Sequence, residues 1–241
     1  SSMSIQTRFI EYSHAGATYE GFLAWDDSAT QPRPGVAVAH TWAGRGAFEQ
    51  DKAVALAEAG YVGFALDMFG RGVYGEGTEE CQALIAPLLA DRALLQALVN
   101  KAVSVLGEQP EVDAKRLAAM GYCFGGLTVL DLARSGADVR GVVSFHGLFN
   151  APETSAGASI SAKVLCLHGY DDPMVPPESV LALAAELTAA GADWQIHAYG
   201  NTLHAFTNPA ANDPGFGAVY NADADRRSAQ ALNDFLAEVL A

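Results

Sequence analysis

The sequence predicts an α/β fold with a mainly parallel central sheet and helices on both faces. Two observations carry this prediction. Short and largely apolar runs such as GVAVAH (35–40) and KVLCLHG (163–169) are typical of strands that are buried on both faces. Segments with helical spacing separate these runs, and regular alternation of strands and helices along a chain produces parallel strands joined by crossover helices.

The first half of the chain opens with two β-rich segments that a turn at His14-Ala15-Gly16 separates. A proline interrupts the hydrogen bonding of a helix, so we expect a break at Pro87 in the long helical region over 79–106. The predicted elements, in order, are IQTRFIEY, ATYEGFLAW, GVAVAH, a helix over 49–59 capped by Gly60, YVGFALD, the region 79–106 and RLAAMGY.

The second half repeats the alternation. The predicted elements are a helix directly after Cys123, then VRGVVSFHG, KVLCLHG, a helix over 177–190, DWQIHAYG and an amphipathic helix over 224–240. Segments 67–78, 147–161 and 207–221 are rich in glycine, proline or asparagine and are expected to be loops that shape a site above the sheet. No repeat or linker interrupts the pattern, so we expect one domain over 1–241, with residues 1–2 an expression remnant.

Composition narrows the function classes. The chain of 241 residues has 28 acidic and 14 basic side chains and a net charge of −14, so it would repel nucleic acid. No apolar stretch reaches membrane-spanning length without charge or glycine, and the first residues lack the apolar core of a signal peptide. We therefore expect a cytoplasmic protein that acts on a small molecule, with no membrane partner; the oligomeric state stays open.

The cysteines do not form a structural framework. Three cysteines are an odd number, and their spacing suits neither disulfides nor a zinc site. Cys81 and Cys166 are interpreted as small buried hydrophobic residues.

Cys123 differs because a glycine stands two residues before it and another two residues after it. Gly121-Tyr122-Cys123-Phe124-Gly125 fits the nucleophile-elbow pattern, a glycine, any residue, the nucleophile, any residue and a glycine, with cysteine in place of serine. Such a turn holds the nucleophile between a strand and the N-terminus of a helix, where the helix dipole favours a thiolate. Cys123 is therefore the predicted nucleophile.

An acid and a histidine follow on later strands. Asp172 comes after KVLCLHGYD and His204 after the last strand, and the order nucleophile, acid, histidine is that of an α/β-hydrolase. His204 would accept the thiol proton and Asp172 would orient the imidazole. Asp171 is adjacent and is interpreted as a residue that caps the turn. The other histidines that we interpret as wall or structural residues are His40, His146 and His168.

Backbone amides complete the predicted site. The residue after the nucleophile, Phe124, should supply one N–H of an oxyanion hole. The loop HTWAGRG after the strand GVAVAH should supply the second, and Trp42 is the candidate.

With these motifs in place, the sequence resembles the dienelactone hydrolase family over nearly its whole length. The matching pieces are AHTWAG, AEAGYVGFALDMFGRG, GYCFGG, HGYDDPMVP and LHAFTNP. The resemblance implies an α/β-hydrolase fold, a triad of Cys123, Asp172 and His204, and an oxyanion hole from the amides of Trp42 and Phe124. It also implies hydrolysis of esters and lactones without a cofactor or a metal.

Two departures from the family pattern change the expected activation of Cys123 and the expected substrate. The family often has a glutamate beside the resting cysteine where this sequence has Thr41, so Cys123 should depend directly on His204. Of two arginines that bind a substrate carboxylate, one matches Arg71 and the other falls near Asn208, which favours neutral esters. An equal alternative for Arg71 is a surface ion pair. The expected substrate-binding residues are Thr41, Trp42, Phe69, Arg71, Tyr122 and Phe206.

Three functions are compatible with this pattern. The leading hypothesis is a cysteine hydrolase of neutral esters and lactones that works through an acyl-enzyme. Similarity to dienelactone-hydrolase-like enzymes that act on phosphotriesters suggests activated phosphotriesters as secondary substrates. The second hypothesis is a true dienelactone hydrolase of aromatic degradation, and the third is a non-catalytic protein that senses oxidation at Cys123.

Overall fold

The computed structural model describes residues 2–241 and has six α-helices among them. The strands are β1 (Ile5–His14), β2 (Ala17–Asp26), β3 (Arg33–Ala39), β4 (Val62–Ala65), β5 (Val112–Tyr122), β6 (Gly141–Phe145), β7 (Lys163–Gly169), β8 (Trp194–Tyr199), β9 (Asn212–Asp213) and β10 (Ala218–Val219). The helices are α1 (Ala47–Glu58), α2 (Gly77–Ala90), α3 (Arg92–Gly107), α4 (Phe124–Arg134), α5 (Pro177–Ala189) and α6 (Ala222–Val239), with a 3₁₀ turn at Glu153–Ser155.

The chain groups into two compact units, one up to Met120 and one over Gly121–Ala241. In the first unit the strand order begins β1-β2-β4-β3; β3 and β4 are parallel, and β1 and β2 are antiparallel. In the second unit β6, β7 and β8 are adjacent and parallel. The predicted α/β fold with mainly parallel strands is confirmed.

Small residues hold the first unit together. Ala53 and Ala57 of α1 pack against Phe22, Ala24 and Ala65 on the strands. Alanine faces let a helix lie close to a sheet, and β3 and β4 are buried along nearly their whole length. This packing places the ends of β3 and β4, and the loops that follow them, in fixed positions.

The helical region of the first unit breaks later than predicted. Pro87 lies inside α2, and the chain turns at Asp91, whose carboxylate accepts a hydrogen bond from the amide of Leu94 at 3.1 Å. This N-cap stabilises the start of α3 and sets the break, so the expectation of an interruption at Pro87 is wrong. Over residues 2–241, no single helix is long and apolar enough to cross a membrane; α2 and α3 qualify only as a pair, bent by 99°.

The core of the second unit is built on β6, β7 and α4. Every residue of β6 and of α4 is buried, and β7 is buried after its first residue. Helix α6 is amphipathic and turns Leu232, Phe235 and Leu236 inward. Within the predicted loop 207–221, β9 and β10 form a two-stranded ribbon that the sequence did not indicate.

Candidate active site

Cys123 sits on a strained turn between β5 and α4. Its backbone has φ 60° and ψ −114°, a conformation that costs about 1–3 kcal/mol for a side chain with a Cβ. The Cys123 amide donates to the Phe145 carbonyl at 3.0 Å, and its carbonyl accepts from the Gly126 amide at 2.9 Å. These bonds to β6 and to α4 hold the strained residue, and the thiol lies at the N-terminus of α4.

Glycines bring α4 close to the chain that follows β6. A Cβ added at Gly126 would lie 2.5 Å from Ser144 Oγ and 2.7 Å from the Cα of Gly147. Real Cβ atoms do not approach other atoms so closely, so only glycine fits at position 126. Gly126, the residue after the elbow pattern, is therefore required by the close packing of α4.

The imidazole of His204 lies between a thiol and a carboxylate. His204 Nε2 is 2.9 Å from Cys123 Sγ, and His204 Nδ1 is 2.7 Å from Asp172 Oδ2. The ribbon holds the backbone of His204, because its amide donates to the Gly217 carbonyl and its carbonyl accepts from the Val219 amide. The three side chains that the sequence singled out are thus brought together inside the second unit.

The structure separates the two adjacent aspartates after β7. Asp172 is buried; its Oδ1 accepts from the Met174 amide at 2.9 Å, and its Oδ2 faces His204. Asp171 is exposed, and its amide donates to the Thr202 carbonyl. The carboxylate that reaches the imidazole is therefore Asp172, which a backbone amide fixes in place.

Charge at the site favours a protonated imidazole. Burial lowers the pKa of His204, but the electrostatic interaction with Cys123 and the hydrogen bonds that the protonated ring donates to Asp172 and Cys123 outweigh burial and raise it to about 10. A positively charged imidazole whose Nε2 lies 2.9 Å from a cysteine sulfur is the partner that a nucleophilic cysteine requires.

A second histidine, which the sequence did not single out for the site, packs against His204. The rings of His146 and His204 meet edge to face at 5.5 Å, and His146 Nε2 is 2.9 Å from Thr207 Oγ1. Phe206 contacts His146 at 5.0 Å, and Tyr122 lies 5.9 Å from it. Because Thr207 follows His204 by only three residues, the motif LHAFT contains the one sequence signal that could have indicated this contact.

Two predicted substrate-binding residues of this unit lie in the core. Tyr122 stacks on Phe145 at 4.7 Å, and Phe206 packs edge to face on Tyr199 at 5.7 Å. Both rings are buried, so the geometry gives them a supporting position behind the histidines. Their direct contact with a substrate stays a prediction. Phe124 is the first residue of α4, directly after Cys123.

The other predicted residues belong to the first unit. Thr41 and Trp42 follow β3, and both are half-buried. Phe69 follows β4, and its ring packs against His40 at 4.6 Å.

Arg71 is engaged by carboxylates. Its side chain is 60% exposed, with nitrogen atoms 2.5 Å from Glu11 and 3.6 Å from Glu20. The contacts of Arg71 are therefore those of the surface ion pair that the sequence left as an alternative.

The two remaining cysteines, Cys81 and Cys166, are buried thiols. Burial raises the pKa of the Cys166 thiol to about 12, which keeps it protonated and unreactive. Among residues 2–241, no three His, Cys, Asp or Glu side chains are grouped so that they could hold a metal ion.

Comparison with known proteins places this geometry in a family. The dienelactone hydrolase family profile matches residues 19–240. The chain belongs to the dienelactone hydrolase family. Members of this family hydrolyse ester bonds, so the protein is a dienelactone hydrolase-like hydrolase.

Relatives within the dienelactone hydrolase family agree in fold and in length. The solved structure of m3DLH is 38% identical, has a TM-score of 0.93, and matches over 98% of this chain and 99% of that one. A dienelactone hydrolase-like promiscuous phosphotriesterase from metagenomic libraries is 34% identical, with a TM-score of 0.94 and the same coverage. The predicted α/β-hydrolase fold is confirmed by these neighbours.

Two curated relatives are more distant in sequence. A protein of Yersinia pestis described as a putative carboxymethylenebutenolidase is 26% identical and aligns over 84% of this chain and 81% of its own length. A probable 2-oxo-3-(5-oxofuran-2-ylidene)propanoate lactonase of Bradyrhizobium is 27% identical, with coverage of 85% and 86%.

Proposed function

We propose that this dienelactone hydrolase-like protein is a cysteine hydrolase of neutral esters and lactones that works through a covalent acyl-enzyme. The observation that carries the proposal is the chain of hydrogen bonds from Cys123 Sγ to His204 Nε2, at 2.9 Å, and from His204 Nδ1 to Asp172 Oδ2, at 2.7 Å. The spacing suits proton transfer in the first pair and orientation of the imidazole in the second.

Acylation begins with the thiol proton on His204 Nε2. The thiolate attacks the carbonyl carbon, a C–S bond forms, and the carbonyl π electrons move to oxygen. When the C–O bond to the leaving group breaks, His204 gives its proton to the departing alkoxide. In a lactone the leaving alcohol and the acyl group belong to one molecule, so the alcohol remains attached to the acyl-enzyme.

Two amides are proposed to stabilise the oxyanion. The N–H of Phe124 lies at the N-terminus of α4, where aligned peptide dipoles favour negative charge. The N–H of Trp42, in the turn after β3, is the proposed second donor. Loss of one such donor costs about 2.7–4 kcal/mol of transition-state stabilisation in comparable hydrolases.

Deacylation uses the same groups in reverse. Neutral His204 takes a proton from water, the hydroxide attacks the thioester carbon, and the C–S bond breaks to release the acid and Cys123. Asp172 keeps Nδ1 of His204 protonated in both half-reactions, so that Nε2 exchanges the proton.

The charge of the protein supports neutral substrates. The net charge is −14, and the one arginine that could receive a substrate carboxylate, Arg71, is in contact with Glu11 and Glu20. A dianionic lactone would have to displace these carboxylates from an exposed guanidinium, for a gain that solvent keeps small.

Activated phosphotriesters are a second candidate substrate class. The similarity to the promiscuous phosphotriesterase, at 34% identity over 98% of the chain, favours it. A polarisable thiolate can attack a neutral phosphorus centre and expel an aryloxide, and water activated by His204 must then cleave the P–S bond.

A true dienelactone hydrolase is the other candidate, which the names of the Yersinia and Bradyrhizobium relatives and the presence of Arg71 favour. If it were correct, Arg71→Ala would raise the KM for an anionic lactone, while Glu11→Gln would lower it by freeing the guanidinium. Our proposal expects neither change.

We also propose that the family match over 19–240 reflects a single catalytic domain. A cytoplasmic location is proposed because a chain whose three cysteines are thiols suits a reducing compartment.

The decisive experiment is an active-site titration. Mixed with excess of a neutral aryl ester, the protein should release a burst of one leaving group per chain before steady turnover, and Cys123→Ala should show neither phase. A panel of neutral aryl esters, anionic lactones and activated phosphotriesters, run also on Cys123→Ser, would rank the substrate classes. Unchanged ester turnover by Cys123→Ala would dispose of the proposal.

A further inference from the structure

The ring of His40 is held between two backbone groups in the first unit. His40 directly follows β3 and is fully buried. Its Nε2 is 3.0 Å from the Met68 amide nitrogen, and its Nδ1 is 2.7 Å from the Thr41 carbonyl oxygen. An amide can only donate and a carbonyl can only accept, so Nε2 accepts and Nδ1 carries the proton. These two partners therefore fix the tautomer of His40.

The bond from His40 determines how one peptide group is turned. The Thr41 carbonyl belongs to the same planar unit as the Trp42 N–H, and in a trans peptide the two point in opposite directions. The Gly44 amide donates to the same carbonyl at 3.3 Å, which adds a second restraint. A carbonyl held by two donors keeps the Trp42 N–H pointing away from His40.

Glu49 restrains the other peptide group of Thr41. This glutamate lies in the first turn of α1 and is 2% exposed. Its Oε1 accepts from the Gly46 amide at 2.9 Å, and its Oε2 is 3.4 Å from the Thr41 amide, a long hydrogen bond. The loop 41–46 is therefore tied at its beginning and at its end to one buried carboxyl group.

The surroundings keep His40 neutral and immobile. Phe69 packs on the ring at 4.6 Å, and burial lowers the pKa of His40. A protonated ring would direct an N–H at the Met68 N–H and lose that hydrogen bond, so the neutral form is the one that fits.

We propose that His40 is a positioning residue that, together with Glu49, fixes the direction of the Trp42 amide before substrate binds. The inference rests on the proposed role of that amide in the oxyanion hole. A donor that is already aimed needs no reorganisation when charge develops on the carbonyl oxygen, which is the reason why preorganised donors accelerate acyl transfer. Sequence alone gives His40 no such role, because its partners are backbone groups.

A matched pair of substitutions separates the two bonds of His40. In His40→Asn the side-chain amide occupies the place of Nδ1 and can still donate to the Thr41 carbonyl. In His40→Gln the longer side chain reaches the place of Nε2 and can accept from Met68, but the Thr41 carbonyl loses its donor. We expect His40→Gln to lower kcat for a neutral aryl ester by about 10- to 100-fold, part of what loss of a whole donor costs. His40→Asn should stay within about fivefold of the wild type.

The rate at which iodoacetamide alkylates Cys123 distinguishes a positioning role of His40 from a merely structural one. This displacement at carbon develops no oxyanion, so its rate reports the thiolate–imidazolium pair alone. We expect both variants to keep the wild-type alkylation rate within twofold, while only His40→Gln loses ester turnover. Wild-type turnover by His40→Gln, or equal losses in both variants together with slower alkylation, would overturn the inference.

If neither His40 variant folds, Glu49→Gln tests the same loop from its other anchor. It should lower kcat by about three- to tenfold with alkylation unchanged, since one of two restraints on Thr41 remains; unchanged kcat would contradict the inference. Failure of the proposed function has a different signature, namely ester turnover that survives in Cys123→Ala.

Discussion

Two thiols in the second unit, at Cys123 and Cys166, have the same chemistry and opposite environments. Cys166 lies in the middle of β7, is 0% exposed, and has a pKa that burial raises to about 12. Cys123 lies one residue beyond β5, on a backbone with φ 60°, with an imidazole nitrogen 2.9 Å from its sulfur. The difference teaches that the end of a strand, where the chain can turn and a helix begins, gives a cysteine the surroundings that the proposed nucleophile requires.

Two buried histidines of the second unit, His168 and His204, also differ in the direction in which their surroundings shift the pKa. Burial lowers the pKa of His168, and within the described chain neither of its ring nitrogens has a hydrogen-bond partner. His204 is equally buried, but its thiol and carboxylate partners raise its pKa to about 10. The partners of a histidine, rather than its depth, thus decide its charge.

The largest expected effect is the difference in activity between alanine substitutions at Cys123 and at Cys166. Cys123→Ala should reduce kcat/KM for a neutral aryl ester by roughly 10⁴-fold or more, because it removes the proposed nucleophile. Cys166→Ala should leave kcat/KM within about threefold and lower the free energy of unfolding by about 1 kcal/mol, from the small cavity that it creates. Ester kinetics and urea unfolding of both variants make the comparison. Comparable losses of activity in the two would show that position does not distinguish the thiols.

Asp172→Asn tests the orientation of the imidazole. An amide at position 172 can donate to Nδ1 and so favours the tautomer with its proton on Nε2, which cannot accept from the thiol; kcat should fall by about 10²- to 10⁴-fold. Asp171→Asn is the matched control, since this neighbour is exposed, and it should stay within about twofold. Stopped-flow ester hydrolysis measures both. An equal loss in the two would exclude Asp172 as the orienting acid.

Gly126→Ala tests the close packing of α4 against Ser144 and the chain that follows β6. The added methyl would lie 2.5 Å from Ser144 Oγ, so α4 must shift, and we expect the free energy of unfolding to fall by about 1–3 kcal/mol together with a loss of acylation rate. Gly126→Ala combined with Ser144→Ala removes the nearest clash and should recover part of the stability. If the double variant were no more stable than the single one, contact with Ser144 would not be the cause.

His168→Leu should have the smallest effect, and that effect should depend on pH. The folded-state pKa of His168 is lowered, so the unfolded chain binds the extra proton as pH falls through about 6.5, and the wild type loses stability in acid. Leucine has no such proton and no unpartnered nitrogens, so the variant should equal or exceed wild-type stability by about 1 kcal/mol at pH 7.

The difference in the free energy of unfolding between His168→Leu and the wild type should widen toward pH 5, as measured by urea unfolding. A difference that narrows in acid would contradict the lowered pKa of His168 in the folded protein. The sign for His204 is opposite, since a raised pKa stabilises the fold fully below about pH 6.5 and this contribution is lost as pH rises through about 10.

The arrangement of the main site followed from the sequence because its residues stand at strand ends. Parallel strands place Cys123, Asp172 and His204 at their carboxyl ends, so strand assignment alone predicted their proximity. The alternation of elements likewise predicted the fold. One helix boundary was predicted at Pro87 but lies at Asp91, whose carboxylate caps α3.

Other features could not be read from the sequence because backbone groups form them. His40 acts on the Thr41 carbonyl and the Met68 amide, which no sequence pattern records. The ribbon that holds His204 consists of two-residue strands, too short for any periodicity. The ion pairs of Arg71 with Glu11 and Glu20 join side chains from different strands and loops, so the sequence could only leave them as an alternative.

Intact-protein mass spectrometry during turnover of a slowly deacylating ester tests the central claim most directly. One acyl group should appear per chain, and digestion should place it on Cys123 in the peptide containing GYCFGG, with His204→Gln preventing its formation. An adduct on Cys81 or Cys166, or steady turnover with no adduct in a quenched sample of the burst phase, would contradict the account.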